Sequence, residues 1–306
     1  MIRVLATDGM DASAVKQLEE QGYEVVQQFY EPEELKKAVQ EFDAMVVRSA
    51  TKVRKDIIDA AAETGRLKIV IRGGVGIDNI DKEAAEAAGI TVANTPAASS
   101  ASVAELALGH MFSLARHIGI ANATMRNGEW NKKKYSGIEL AGKTLGLIGF
   151  GRIARELAVK ANALGMNVIY NRRSGSDDAV DYAKFVERDA LLKEADFISL
   201  HVPAQKDPNY LISKAEIEQM KDGVYLINTA RGGLIVEDDL VDALDSGKVA
   251  GAALDVFSEE PTKNTRITSH PLISMTPHIG AATGEAQKRI GSEIVEIVTY
   301  FFKDKQ

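Results

Sequence analysis

The sequence predicts an α/β protein built from two doubly wound parallel sheets. Three observations carry that expectation. Short β-branched runs alternate with amphipathic helical stretches in two separate series, a glycine-rich turn follows the strand that opens the second series, and one amphipathic stretch follows the last strand. At 306 residues the chain also exceeds the size at which a single hydrophobic core usually stops growing.

The first series runs RVLAT, a helix from Ala12 to Gln21, YEVV, a helix from Pro32 to Gln40, AMVVR, LKIVI and ITVAN. After Thr95-Pro96 the pattern changes to one long apolar-periodic helix, Ser99 to Ile120, opened by serines able to cap its free amides. The second series follows: TLGLIGFG, NVIY, DFISLHV, VYLIN, VAGAALDV and LISMTPH, with helical segments between most of them. The last amphipathic stretch, Gly284 to Phe302, brings no new domain's worth of chain and is expected to return to the first unit. The domains are thus residues 1–95 with 284–306, and 96–283 inserted between them. No low-complexity tract and no repeat of fixed period interrupts this order.

Composition narrows the function classes. With 37 basic against 44 acidic side chains, the formal charge of -7 offers no general attraction to nucleic acid or acidic lipid. No stretch is apolar enough to cross a bilayer, and MIRVLATDGM lacks the core of a signal peptide, so a soluble mature chain is expected. The absence of cysteine removes disulfides, thiolate nucleophiles and cysteine-bound metal, and fits a reducing compartment, the cytoplasm.

Within TLGLIGFGRIA, Gly149, Gly151 and Ala154 fall in the G-x-G-x-x-G/A pattern between a strand and a helix. Gly149 permits the tight turn, Gly151 lets backbone approach a pyrophosphate, and Ala154 lets helix and strand pack closely. The helix N-terminus adds unpaired amides and a positive dipole end. About twenty residues further on, a carboxylate normally chelates the ribose hydroxyls of NAD. Asn171 stands there, followed by Arg172 and Arg173, which could grip a 2′-phosphate instead, so both NAD and NADP remain open.

Hydride transfer to a 2-keto acid needs a cation to hold the carboxylate and polarise the carbonyl, a group to protonate the nascent alkoxide, and a partner that tunes that group. Arg231, His278 and Glu260 supply these types, each just after a predicted strand, at the edge where open α/β sheets bind ligands. A carboxylate bonded to His278 would stabilise the imidazolium near neutral pH. Glu259 is a loop alternative to Glu260. His110 and His117, in the long helix, read as packing or interface residues; His201 ends a strand near the cofactor edge, and His270 shows no evident partner.

GFGRIA, NTARGG, AALDVFSEEP and PHIGA, together and in this order, resemble the D-isomer-specific 2-hydroxyacid dehydrogenases over essentially the whole chain. The resemblance implies a Rossmann-type cofactor domain inserted in a flavodoxin-like substrate domain. It implies that Arg231 orients substrate, that His278 is the acid/base and that Glu260 sets its pKa. It also implies that Asp255 meets the nicotinamide end, with Arg152, Ile153, Val202, Pro203, Thr229, Ala230, Gly280 and Ala281 along the cofactor.

RSATK, RGGVGIDNID and NTP are most similar to the family members that oxidise D-3-phosphoglycerate. That similarity assigns Arg48, Arg72 and Asn79 to substrate, allows Lys132 to reach in from a neighbouring subunit, and implies a homodimer through the long helix and the Trp130 loop. The amides of Gly74, Val75 and Gly76 could bind the carboxylate as an anion nest, and closure of the cleft between the domains would exclude water. The bland alternative pairs Arg48 and Arg72 with acids such as Asp78. Without the regulatory C-terminal domain of larger members, serine feedback is not expected. Two other readings stay open: an NADPH-preferring glyoxylate or hydroxypyruvate reductase, supported by Asn171-Arg172-Arg173, and a nucleotide-sensing scaffold like the corepressors called C-terminal-binding proteins.

Overall fold

The computed structural model describes residues 1–177, 179–204 and 210–303, in two compact units: Met1–Ser99 with Ala281–Gln306, and Ser100–Gly280. These junctions lie a few residues from those expected, and local bonding explains the shift. Thr95 N donates to the Arg72 and Gly74 carbonyls, Ala98 is buried in the core of the first unit, and its carbonyl takes Arg289 Nε. At the other junction Gln287 Nε2 holds the Ala281 carbonyl.

In the first unit, strands β1 (Arg3–Ala6), β2 (Glu24–Gln27), β3 (Ala44–Val47), β4 (Ile69–Arg72) and β5 (Thr91–Asn94) form a parallel sheet in the order β2-β1-β3-β4-β5. Helices α1 (Ala12–Glu20), α2 (Pro32–Ala38), α3 (Lys55–Thr64) and α4 (Lys82–Ala87) connect them. Asp11 and Asp81 accept amides one turn into α1 and α4, satisfying donors that a helix start leaves open. Leu18, Ile71 and Ile294 belong to the core on one face of the sheet, and Leu35, Ile57 and Val70 to the core on the other, so both faces are covered. The face with Ile294 is completed by the C-terminal helix Gly284–Phe302, capped by Thr283, whose Ile290, Ile294 and Val298 recur one turn apart.

The second unit opens with α5 (Ser100–Arg116) and α6 (Ile118–Arg126). One continuous helix was expected here; the break falls at His117, which adopts φ 56°. The returning chain explains it: Ile138 N captures the Ala115 carbonyl at 2.9 Å and the Ser136 carbonyl lies 3.1 Å from His117 Nε2, so the carbonyl ladder ends there.

Strands β6 (Thr144–Ile148), β7 (Asn167–Asn171), β8 (Lys184–Phe185), β9 (Phe197–Leu200), β10 (Val224–Asn228), β11 (Val249–Leu254) and β12 (Ile273–Met275) then form a parallel sheet in the order β12-β11-β10-β9-β6-β7-β8. The two-residue β8 carries no sequence signal of its own. Helix α7 (Arg152–Ala163) packs with α5 on one face; α8 (Arg188–Glu194), α9 (Lys214–Gln219), α10 (Glu237–Asp245) and α11 (Thr265–Thr268) cover the other. Strand order reverses between β6 and β9, and the loops leaving β6, β7 and β9 to β12 are therefore the expected ligand edge of this unit. No helix among the described residues is long and apolar enough to cross a membrane.

Candidate active site

The turn after β6 is built by Gly149, at φ 91°. A Cβ there would come within 2.3 Å of the His201 carbonyl oxygen, so conformation and space both demand glycine. Gly151 caps α7, and a Cβ on it would meet nothing within 4 Å: the space over the loop is open beside the amides of Arg152 and Ile153. Ala154 is fully buried. Beyond β9, Val202 is half-buried and Pro203 exposed. After β10 the Thr229 hydroxyl is buried and makes no hydrogen bond among the described residues. An open approach at Gly151 and a buried hydroxyl without a partner among the described residues, on one sheet edge, fit a polar dinucleotide.

The two arginines after β7 are not equivalent. Arg172 donates from Nε to the Gly175 carbonyl at 2.7 Å, from Nη2 to Ser176 O at 2.8 Å, and lies 3.4 Å from Asp177 Oδ2. Arg155 grips the same carboxylate. Arg172, expected to hold cofactor, thus ties down its own loop, whereas Arg173 is exposed. Asn171 spends its amide nitrogen on the Val186 carbonyl at 3.0 Å.

Arg231 follows β10 on a loop braced by buried Asn228, whose Oδ1 accepts from Ala230 N and whose Nδ2 donates to the Arg231 carbonyl at 2.7 Å. Glu260 Oε2 meets His278 Nδ1 at 2.7 Å, and its Oε1 accepts from Phe257 N. Burial acts to raise the Glu260 carboxyl. The bond and charge of His278, the Phe257 amide and the Arg231 charge outweigh it, leaving the group below its ordinary value. Glu259 is separate, paired with Lys263 at the surface.

His278 has φ 54°, costing about 1 kcal/mol or more in a non-glycine residue. Asp255 holds that backbone: it is completely buried, and its oxygens accept from Thr276 Oγ1 at 2.6 Å, Ile279 N at 2.8 Å and Gly280 N at 2.9 Å. The resemblance assigns Asp255 to the nicotinamide end, and in the structure the same carboxylate also serves the protein. Its buried carboxylate accepts from three protein donors, which fixes the His278 turn. Asn228 and Thr276 are contributors that sequence reasoning missed; the one available signal was a polar residue at the end of an apolar strand.

In the first unit, Asp8 Oδ2 accepts the Arg48 and Thr51 amides, and Asn79 Nδ2 donates to the Arg48 and Thr51 carbonyls, both at 2.7 Å. Asn79, assigned to substrate by similarity, therefore uses its donors to brace the Arg48 loop. The Arg48 guanidinium has no hydrogen-bond acceptor among the described residues, while Arg72 Nη2 donates to Ser49 Oγ at 3.1 Å. Gly74 N is spent on the Arg72 carbonyl, which leaves Val75 and Gly76 as the amides of the expected nest. Lys132 is exposed, and His270 lies 3.4 Å from Asp245.

His201 sits behind the glycine turn, with Nε2 2.9 Å from Ser199 Oγ. Burial lowers its pKa from 6.5 to about 4. The folded pKa is the lower one, so between these values the unfolded chain binds the proton more tightly. Stability is complete above pH 6.5 and falls as the pH drops toward 4, by at most ~3 kcal/mol. Melting curves at pH 7 and 4.5 are expected to show a smaller acid loss for His201→Gln than for the parent; an equal loss in both would remove His201 as the cause.

Among the described residues no group of three or more His, Asp or Glu side chains is placed to hold a metal. Residues 108–280 match the family model described as D-isomer specific 2-hydroxyacid dehydrogenase, NAD binding domain. Doubly wound sheets with a glycine turn and a histidine–carboxylate pair at the carboxyl edge define a nicotinamide-dependent oxidoreductase. The chain belongs to the D-isomer-specific 2-hydroxyacid dehydrogenase family, whose members use NAD or NADP. It is 47% identical over 299 residues to a hydroxypyruvate reductase of Thermotoga maritima, covering 96% of each chain. A D-3-phosphoglycerate dehydrogenase of Methanocaldococcus jannaschii is 45% identical over 97% of this chain, which spans 56% of that protein. The crystal structure of a glyoxylate reductase from Paecilomyes thermophila superimposes with a TM-score of 0.88 at 32% identity, over 97% of this chain and 94% of that one.

Proposed function

We propose that the chain interconverts D-3-phosphoglycerate and 3-phosphohydroxypyruvate, with His278 as acid and base, Glu260 as its tuning partner and Arg231 as the cation that holds the carboxylate and polarises the C2 carbonyl. The observation that carries this reading is the 2.7 Å bond between His278 Nδ1 and Glu260 Oε2, with Arg231 close enough to bias the same carboxyl. An anionic Glu260 only accepts, so Nδ1 keeps its proton and Nε2 is the nitrogen that exchanges one. In oxidation Nε2 takes the hydroxyl proton as hydride leaves C2; in reduction the imidazolium returns it to the alkoxide.

The nicotinamide ring, when bound, accepts or supplies the hydride. The α7 amides at Arg152 and Ile153 would take its pyrophosphate and the buried Thr229 hydroxyl a polar group of the cofactor. Arg48 is assigned to the substrate phosphate because its guanidinium has no acceptor among the described residues. The exposed Phe112, Ile118, Met125 and Trp130 support a homodimer through α5, α6 and the loop beyond.

A second reading, reduction of hydroxypyruvate or glyoxylate with NADPH, is favoured by the near full-length match to the Thermotoga reductase and by Asn171 with exposed Arg173. Steady-state rates with phosphohydroxypyruvate, hydroxypyruvate and glyoxylate, each with NADH and NADPH, separate the two. Arg48→Ala is expected to lose about 10- to 100-fold in kcat/KM on the phosphorylated acid and little on glyoxylate. Equal losses, or a parent preference for hydroxypyruvate with NADPH, would move the assignment to the second reading.

A further inference from the structure

His110, which the sequence reads as a packing residue, is 4% exposed in the middle of α5, and both of its ring nitrogens meet hydroxyls. Nδ1 lies 2.9 Å from Ser274 Oγ and Nε2 3.0 Å from Thr276 Oγ1. Ser113 Oγ lies 3.2 Å beyond Ser274 Oγ, and Thr276 donates to the buried Asp255 carboxylate. The cluster has no part in the chemistry proposed above, yet it ends on the group that fixes the His278 turn.

Proton counting assigns the directions from Ser274 to Asp255. Thr276 has one hydroxyl proton and gives it to Asp255, which only accepts, so Thr276 meets His110 as an acceptor and Nε2 carries the hydrogen. Burial of the ring, partly offset by the charge of Asp255, favours neutral imidazole. A neutral ring has one N–H, so Nδ1 accepts and Ser274 is the donor there. Ser274 faces Ser113 also as the donor, at the longer distance of 3.2 Å, so its single proton serves Nδ1 and Ser113 stands outside the chain. Asp255 is the charged group this ring faces; its other neighbours in the cluster are hydroxyls.

We propose that His110, as the Nε2–H tautomer, is a positioning residue: the middle link of a chain of hydrogen bonds, all pointing from Ser274 toward Asp255, that holds the left-handed backbone of His278 in register. The inference rests on reading His278 as the acid–base group. Hydrogen bonds aligned in one direction polarise one another, and the Asp255 oxygen that takes the Thr276 hydroxyl also takes the Ile279 amide directly after His278.

The intact enzyme labelled with ¹⁵N-histidine tests the tautomer without any substitution. His110 is expected to show a protonated Nε2 and a bare Nδ1 unchanged from pH 7.5 to 8.5; a protonated Nδ1, or an imidazolium within that range, would overturn the proposal. His110→Leu, which removes the donor, is expected to lower kcat about tenfold and to raise the isotope effect measured with cofactor deuterated at the nicotinamide C4, because the chemical step becomes slower. His110→Gln keeps an N–H near the Nε2 position and is expected to retain kcat within about twofold. Equal losses in both variants, or an unchanged kcat and isotope effect in His110→Leu, also overturn it. Failure of the acid–base reading has a different signature: His278→Ala would stay active while the His110 tautomer was as expected.

Discussion

Replacing His278 with alanine is expected to lower kcat for keto-acid reduction by about 10³-fold while the dissociation constant for the nicotinamide cofactor changes by less than about threefold. The substitution removes the only proton-exchanging nitrogen of the Glu260 pair and touches none of the residues around the glycine turn. Glu260→Gln removes the charge that keeps Nδ1–H in place but leaves the ring, so its loss is smaller, about 10- to 100-fold. Pre-steady-state absorbance at the reduced nicotinamide band, alongside fluorescence titration of the cofactor, measures both quantities. Turnover of His278→Ala within a few-fold of the parent would refute the acid–base role.

Gly232→Ala is expected to cost at least 100-fold in kcat/KM and several degrees in melting temperature, although it adds one methyl group to a residue that does no chemistry. The Cβ would lie 1.8 Å from the Phe257 carbonyl oxygen, 2.0 Å from its carbon and 2.6 Å from Ser258 N. All three are backbone atoms, so no rotamer relieves the clash. The segment after Arg231 must separate from the segment before Glu260, and a shift of about 1 Å at a catalytic group is enough for such a loss. A Gly232→Ala enzyme with parental kcat/KM and unchanged melting would show that the two loops need not touch.

How much of this was legible in the sequence depended on how far apart the interacting residues lie along the chain. The β runs, the Gly149 turn and the helix from Gly284 to Phe302 announce themselves through local periodicity and turn chemistry, and the structure places them as expected. His278 stands in a distinctive short segment at a strand end, whereas Glu260 was separated from neighbouring Glu259 only by the family resemblance. The helix break at His117 was not, since it is imposed by Ser136 and Ile138 returning from outside the helix. Asn171 bonds Val186, Arg155 bonds Asp177 and His110 bonds Thr276, contacts separated by 15, 22 and 166 positions. Nothing in local pattern signals them, and without the first of them Asn171 looks free to serve a ligand.

The adjacent arginines at 172 and 173 differ as a hinge pin differs from a door handle. Arg172 is joinery: with Arg155 it fastens Asp177 against the loop, so a change there would disturb the carpentry before it altered any taste for a nucleotide. Arg173 makes no such bond among the described residues. Selection could therefore retune the choice between two coenzymes at that one side chain while leaving the timber of the loop standing.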